Sequence, residues 1–162
     1  MKVIKRIAIA AFLFLGFNIN ASEKEIGLKH VFDIHAKCGA AMTVGDVPEG
    51  KRVMIPITGG KVDGGIEAEI IPGGADYQMV DTVSGRVSYE AVYTLLTDDS
   101  RFINVKNVGV SVNDSAGNYF TTSPKFEAPC DSKYNWLNSR IFICKPIGFE
   151  EGMVHLRVWM VE

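Results

Sequence analysis

The chain has 162 residues, of which 47% are hydrophobic and 22% are charged, and its formal net charge is -2. This composition excludes a disordered chain, a collagen-like repeat and a polybasic nucleic-acid-binding protein. A chain of this length buries about two thirds of its unfolded surface, which is enough for a self-sufficient core. We therefore expect one globular domain.

The amino-terminal segment has the organisation of a secretory signal peptide. Three basic residues precede an apolar stretch of 11 residues from Ile7 to Phe17, and a short polar segment ends at Ala21. An apolar run of this length is too short for a transmembrane helix, which needs about 20 residues. We expect cleavage after Ala21, which leaves residues 22–162 as a periplasmic or secreted domain with no stable membrane insertion.

The charge balance of the mature chain argues against an anionic partner. Loss of the three basic residues of the signal segment reduces the 17 basic residues of the chain to 14, against 19 acidic residues. Binding to phosphate backbones requires clustered Lys and Arg side chains. We therefore expect no nucleic-acid partner.

Three cysteines, Cys38, Cys130 and Cys144, are expected to lie in an oxidising compartment. Their number predicts one disulfide and one free thiol, with the pairing left open. The chain has no CxxC motif and no Cys/His cluster. The spacing therefore predicts no metal site, and no motif predicts a cofactor.

From Leu28 onward the sequence is typical of an all-β protein. Short segments rich in Val, Ile, Tyr and Phe alternate with Gly, Asp, Asn and Pro, and no window has helical periodicity. Short polar connections favour sequential antiparallel pairing, so we expect a single up-and-down β-barrel of about 8–10 strands, which removes exposed edges. The predicted strands are Leu28 to Lys37, Lys51 to Thr58, Ile66 to Ile71, Ala75 to Thr82, Arg86 to Thr97, Phe102 to Val112, Tyr119 to Ala128, Arg140 to Lys145 and Met153 to Val161.

Two glycine-rich segments are interpreted as turns. The segment from Gly59 to Gly65 precedes a strand rather than a helix, so it is not a phosphate-binding loop, and we expect a hairpin. The segment from Pro72 to Gly74 is expected to turn sharply and to place Asp76 at the start of a strand. A carboxylate there is a base, a ligand-binding group or a turn cap.

The segment from Tyr134 to Ser139 is the one part of the predicted domain that indicates a turn of helix or an ordered loop. Its Tyr134, Trp136 and two asparagines suit either the lip of a ligand pocket or a plug for one end of the barrel.

Among the histidines His30, His35 and His155, only His35 has an acid, Asp33, on its own strand face two residues before it. Such a pair orients an imidazole, but no hydrolase or metalloprotease motif accompanies it, and a structural or surface role is favoured.

The partners of Arg52 and Arg157 are open at this stage. Either side chain can bind an anionic ligand through a bidentate fork, or pair with a glutamate across the sheet. The glutamates considered are Glu67, Glu69 and Glu90.

Five short motifs, taken in order, resemble the DUF3237 family, a group of small proteins of unknown function. They are Gly50-Lys51-Arg52 before Ile55-Pro56-Ile57, Gly59-Gly60, Pro72 to Tyr77, Thr97-Asp98-Asp99, and Tyr134 to Asn138. The resemblance spans Leu28 to Val161 and implies a β-barrel. It also implies a shared pocket, for which the matching positions are Arg52, Asp76, Tyr93, Trp136 and Asn138. His155, on the last predicted strand, completes the candidate ligand-binding set.

Three functions are compatible with these features. The favoured one is an exported soluble β-barrel that binds a small, partly apolar molecule in its interior. The alternative is a small-molecule enzyme of isomerase, cyclase or hydrolase type that uses Asp76 or His35 for proton transfer in the same pocket. An outer-membrane barrel is less favoured, because Asn104 and Lys106 share a strand face with Val108 and Val110.

Overall fold

The computed structural model describes residues 25–162, and the predicted signal peptide, residues 1–21, lies outside the described residues. The all-β prediction is confirmed. Nine antiparallel strands and one short 3-10 helix at Asn135–Ser139 make up the described chain. The strands are β1 (Leu28–Cys38), β2 (Met42–Val47), β3 (Gly50–Gly64), β4 (Ala68–Val80), β5 (Val87–Thr97), β6 (Phe102–Asp114), β7 (Gly117–Glu127), β8 (Phe142–Glu150) and β9 (Met153–Val161).

The strands close into the predicted barrel. Each strand from β3 to β9 pairs with the next, β9 pairs with β1, and β1 pairs back onto β3. Eight strands therefore form the closed wall, while β2 extends β3 outside the ring as a hairpin. Closure satisfies the backbone groups that an open sheet would leave at its two edges.

Sequence analysis missed β2, and the reason is its exposure. Its side chains are exposed or half-buried along its whole length. Without a buried face the segment has no apolar alternation by which a strand is detected. Gly45, with a φ of +113°, marks an irregularity in the pairing of β2 with β3.

The predicted hairpin from Gly59 to Gly65 begins later than expected, since the chain turns only between Gly64 and Ala68 to pair β3 with β4. β3 runs on to Gly64, and its register against β4 shifts between Ile57 and Lys61 while β1 continues to pair with Gly59 and Gly60. Gly60 has a φ of +130°, and a Cβ there would overlap the backbone carbonyl oxygen of His35. The glycines therefore form a bulge that bends β3 from one neighbour to the other.

The predicted turn from Pro72 to Gly74 is wrong, because this segment is also a bulge within a continuous strand. β4 is continuous, its register against β5 shifts between Ile71 and Ala75, and Gly73 has a φ of +118°. The two strands predicted on either side of this segment are one bent strand. Asp76 consequently lies in the interior of β4 rather than at a strand start.

One end of the barrel is solid. Phe32, Phe126 and Phe142 pack edge to face, with ring centroids 5.6 Å and 5.0 Å apart along this row. The segment from Tyr134 to Ser139 forms the expected turn of helix and covers this end, with Tyr134 and Leu137 buried in the core. Of the two roles considered for it, the burial of Tyr134 and Leu137 supports the plug, and the segment also borders a second pocket through Tyr134 and Trp136. No helix in residues 25–162 has the length and apolar character needed to cross a membrane.

The expected disulfide is absent among the described residues, where all three cysteines are free. Cys144 is fully buried within the core, Cys130 is exposed in the connection that follows β7, and Cys38 is half-buried at the end of β1. Strand alternation directs Cys144 into the barrel, whereas Cys130 faces solvent, so this pair does not meet.

Candidate functional site

The half of the barrel opposite the plug encloses a cavity of about 490 Å³. Inward-facing positions of every barrel strand contribute to its wall. The apolar lining residues are Ala36, Ile55, Ile57, Ala91, Phe120, Phe149, Val154 and Leu156. The other lining residues are Cys38, Asp76, Gln78, Tyr89, Tyr93, Asn107, Ser111, Asn118 and Thr122.

Strand alternation explains why the cavity forms at this end. On β5 the residues Tyr89, Ala91 and Tyr93 line the cavity, and Leu95, next on the same face, is fully buried in the core. A methyl group at Ala91 leaves space that a larger side chain would fill. The inner face therefore passes from solid packing to an open chamber along a single strand.

Among residues 25–162, Asp76 is the one carboxylate in the cavity wall. Its Oδ2 accepts a hydrogen bond of 2.7 Å from Gln78 Nε2, whereas its buried Oδ1 has no hydrogen-bond partner among the described residues. Burial raises the pKa of Asp76, and the Gln78 hydrogen bond and, to a smaller extent, the Glu90 backbone oppose that effect. A carboxyl group with a raised pKa and a free oxygen is suited to proton transfer.

Two further polar atoms in the wall lack a partner within the described chain. Tyr93 and Asn107 are each 4% exposed, and neither Tyr93 Oη nor Asn107 Oδ1 forms a hydrogen bond with any described residue. Burial also raises the pKa of the Tyr93 hydroxyl, which keeps it protonated. An unsatisfied buried polar atom costs about 1–3 kcal/mol, so three in the wall of one cavity are a marked departure from ordinary packing.

An aromatic pair forms another part of the wall. The rings of Tyr89 and Phe120 are stacked, with centroids 4.6 Å apart and an interplanar angle of 17°. The Tyr89 hydroxyl is hydrogen-bonded to Ser111 Oγ at 2.7 Å. The cavity thus combines a flat apolar surface with hydrogen-bonding groups, an arrangement typical of small-molecule sites.

A sequence profile of one family, described as a protein of unknown function (DUF3237), matches residues 26–161. The chain belongs to the DUF3237 family. An uncharacterised UPF0311 protein of Rhodopseudomonas palustris is 34% identical over 130 residues, which cover 71% of this chain and 84% of the relative. A UPF0311 protein of Clostridium acetobutylicum is 31% identical over 137 residues, which cover 75% of this chain and 85% of that protein.

Solved structures share the fold. A Rhodopseudomonas palustris protein of unknown function has a TM-score of 0.78 at 31% identity, covering 86% of this chain and 99% of that chain. A β-barrel-like protein from Acinetobacter baumannii has a TM-score of 0.79 at 24% identity, covering 88% and 99%. An enzyme from Penicillium herquei has a TM-score of 0.69 at 22% identity, covering 85% and 95%. At these last two identities the likeness concerns the fold alone.

The six ligand-binding candidates of this DUF3237 protein do not lie together. Asp76 and Tyr93 line the cavity. Arg52 lies on the face of β3 opposite to Ile55, and His155 lies on the face of β9 opposite to the lining residues Val154 and Leu156. The expectation of one pocket shared by all six is therefore corrected for these two residues.

Trp136 and Asn138 belong to the plug at the other end of the barrel. The Trp136 ring packs against Phe142, with centroids 5.9 Å apart. Asn138 Nδ2 donates to the Ala128 carbonyl oxygen at 2.9 Å, and its Oδ1 accepts from the Ala128 backbone N–H at 2.8 Å. These contacts fasten the 3-10 helix over the core, and they remove both residues from the proposed shared pocket.

His35 is also outside the cavity. It lies on the outer face of β1, where its ring contacts His155 and Asp63 rather than Asp33. A pocket containing both Asp76 and His35 is therefore wrong, because the barrel wall separates the two faces of the strands.

Asp33 is the partner of Arg157, which the sequence left open. Asp33 accepts two hydrogen bonds from Arg157, at 3.0 Å and 2.9 Å, and a third from His30. The bidentate hydrogen bond from Arg157 lowers the pKa of Asp33, and the His30 contact lowers it further. Arg157 thus pairs with the neighbouring strand, and none of the three glutamates considered is its partner.

Gln78, Asn107 and Ser111 are among the polar members of the cavity wall that sequence reasoning missed. Side chains two residues apart lie on the same face of a strand. Gln78 therefore faces inward like Asp76 on β4, and Asn107 and Ser111 face inward like Val105 on β6. The alternation of these strands groups the three residues with their neighbours on one strand face. Alternation alone does not identify them as cavity residues, because it does not show which face lies inside the barrel.

Proposed function

We propose that this DUF3237 protein is an exported, soluble β-barrel that binds a small, partly apolar molecule in the open half of its barrel. The observation that carries the proposal is the set of three unpartnered polar atoms, on Asp76, Tyr93 and Asn107, in the wall of a largely apolar cavity. The volume of about 490 Å³ lies within the range of about 300–1,000 Å³ that is usual for ligand pockets.

The chemistry of the wall indicates the kind of ligand. Asp76 Oδ1 and Asn107 Oδ1 are acceptors, so a matching molecule donates hydrogen bonds from hydroxyl or amine groups. Its apolar body packs against aliphatic side chains and the Phe120 ring. Such a ligand would satisfy buried groups that the described residues leave without partners, and this recovers part of their desolvation cost.

Native mass spectrometry of the purified mature protein tests binding directly, because a co-purifying molecule adds a defined mass. In parallel, binding of the neutral dye Nile red is compared between wild type, Ala91→Phe and Val92→Phe. Ala91 lines the cavity, whereas Val92 lies on the outer face of the same strand. We expect Ala91→Phe to abolish dye binding and Val92→Phe to preserve it. Equal binding by both variants, each with the wild-type circular dichroism spectrum, would overturn the proposal.

Export is tested on the same material. Export is supported if the protein has the mass of a chain that begins at Ser22 and is recovered from the periplasmic or extracellular fraction. Recovery in the outer-membrane fraction after high-salt washing would favour the membrane-barrel alternative instead.

A second candidate function is catalysis of the isomerase, cyclase or hydrolase type, with Asp76 as the proton-transfer group. The observation that favours it is the raised pKa of Asp76 combined with its free Oδ1 in the cavity wall. The description of one structural neighbour as an enzyme concerns that protein, which shares the fold at 22% identity. Incubation of the co-purified molecule with wild type and Asp76→Asn tests this candidate. Conversion by wild type alone supports catalysis, whereas binding without conversion supports a binding protein.

A further inference from the structure

A second group of chemically active side chains lies on the outside of the barrel. His35 on β1 and His155 on β9 are directly opposite each other in the antiparallel register. Their two Nδ1 atoms are 2.5 Å apart, and the ring planes are inclined at 67°. The pair borders a surface groove that also includes Lys37, Lys61 and Met153.

The other nitrogen of each ring is close to a carboxylate. His35 Nε2 lies 3.3 Å from Asp63 Oδ2, and His155 Nε2 lies 3.5 Å from Glu150 Oε1. A carboxylate accepts and does not donate, so its presence favours the tautomer that carries hydrogen on Nε2. The longer Glu150 contact acts through charge, since His155 Nε2 makes no geometrically acceptable hydrogen bond with the described residues.

With hydrogen on Nε2 of both rings, the two Nδ1 lone pairs face each other across the β1–β9 pair. Two lone pairs at that separation repel unless a proton or a metal ion lies between the two nitrogens. An imidazole whose Nε2–H points at a carboxylate while Nδ1 is free is the usual arrangement of a metal-binding histidine and its supporting partner. His35 has that arrangement with Asp63, and the Glu150 carboxylate lies near the corresponding nitrogen of His155 without a hydrogen bond.

We propose that His35 and His155 bind a divalent transition-metal ion such as Zn²⁺ through their Nδ1 atoms, with Asp63 and Glu150 as supporting groups. Imidazole is a suitable ligand for Zn²⁺, Cu²⁺ and Ni²⁺. Zn–N bonds of about 2.0–2.1 Å place two ligand nitrogens about 3.4 Å apart in a tetrahedral site, so the rings need to separate by about 1 Å.

The surroundings of the pair are compatible with a cation. Lys61 Nζ is 2.7 Å from Asp63 Oδ2, so one of the two lysines that border the groove is already paired with a carboxylate. The side chains of His35 and His155 are 20% and 18% exposed, which leaves solvent access to the groove. Residues 25–162 contain no group of three or more histidine, cysteine or acidic side chains arranged around a metal ion. Water therefore completes the coordination in this proposal.

The test is a calorimetric titration of the full mature protein with Zn²⁺. All variants carry Cys130→Ser, because this exposed thiol is a competing zinc ligand. We expect one bound ion per chain, and an affinity at least about tenfold lower in either His35→Asn or His155→Asn. His30→Asn is the matched control, since His30 is an exposed histidine that pairs with Asp33 on the same strand, and we expect its affinity to be unchanged.

Nitrogen-15 NMR of the histidine rings provides a second readout that does not depend on affinity. We expect Zn²⁺ to shift the Nδ1 resonances of His35 and His155 while both Nε2 atoms remain protonated. Zinc binding of equal strength in wild type and His35→Asn would overturn the proposal. So would a shared Nδ1 proton that millimolar Zn²⁺ does not displace. Neither result bears on ligand binding in the barrel interior, because the groove is on the opposite face of the wall.

Discussion

Gln78 Nε2 donates a hydrogen bond of 2.7 Å to Asp76 Oδ2, and both residues line the cavity from the inner face of β4. This contact orients the carboxyl group and occupies one of its oxygens. The second oxygen is buried without a partner among the described residues, and burial raises the pKa of the group. The buried carboxyl group of Asp76 therefore lowers the stability of the fold, and its raised pKa distinguishes it chemically from the other groups of the cavity.

Asp76→Asn is expected to increase the free energy of unfolding at pH 7 by about 1 kcal/mol. Because the folded-state pKa of Asp76 lies above the ordinary value of 3.8, ionisation disfavours the folded state. The destabilisation appears as the pH rises through 3.8 and is complete above the folded-state pKa. Asparagine keeps an acceptor for Gln78 without the charge. Urea denaturation at pH 4 and pH 7 should therefore show a gain mainly at pH 7.

Asp46→Asn is the control for this prediction, since Asp46 is exposed on β2 and has no part in the cavity. We expect its free energy of unfolding to change little at either pH. A gain for Asp76→Asn that is the same at pH 4 and pH 7 would contradict the proposed ionisation cost.

Gly60→Ala is expected to lower the free energy of unfolding by about 3 kcal/mol, and Gly117→Ala by about 1 kcal/mol. The two glycines have similar φ values, +130° and +116°, so the backbone strain of an alanine is comparable. A Cβ at Gly60 would also overlap the His35 carbonyl oxygen, whereas a Cβ at Gly117 would meet nothing within 4 Å. Thermal or urea denaturation measures the stability of both variants. Equal losses would show that the close contact between β1 and β3 at Gly60 does not cause the larger effect.

Leu137→Ala is expected to lower the free energy of unfolding by about 3 kcal/mol, because it opens a void beneath the plug. Leu137 is 1% exposed, whereas Ile141, just beyond the 3-10 helix, is 68% exposed. Ile141→Ala removes a similar aliphatic side chain and should cost less than about 0.5 kcal/mol. A small effect of Leu137→Ala in chemical denaturation would mean that the segment does not close the barrel.

Iodoacetamide is expected to modify Cys130 in the native protein and to modify Cys144 only after unfolding. Cys130 is exposed, while burial of Cys144 raises its pKa to about 12, so its reactive thiolate is scarce and shielded. Peptide mass spectrometry after timed alkylation measures each site. Detection of a bridge between these two cysteines in the oxidised protein would contradict the arrangement described here.

Much of the fold was accessible from the sequence, because antiparallel strands with one buried face have a period of two. The prediction for β5 began at Arg86 and ended at Thr97, and the strand occupies Val87–Thr97. Glycine-rich segments are ambiguous in the sequence, since glycine suits turns and bulges equally well. Whether Gly60 turns the chain or bends it depends on the close approach of β1, which is distant in sequence.

The candidate site was likewise only partly predictable from the sequence. The sequence by itself determined that the chain forms a barrel and indicated Asp76 and Tyr93 as pocket residues, because hydrophobic alternation and short motifs are local properties. Only the tertiary structure decided which face of each strand is inside, that the Trp136 helix is a plug, and that His35 meets His155. Those two histidines are 120 residues apart, and they become neighbours only because β1 closes the ring against β9. Closure is a global property of the strands, and it depends on pairings that no single segment specifies.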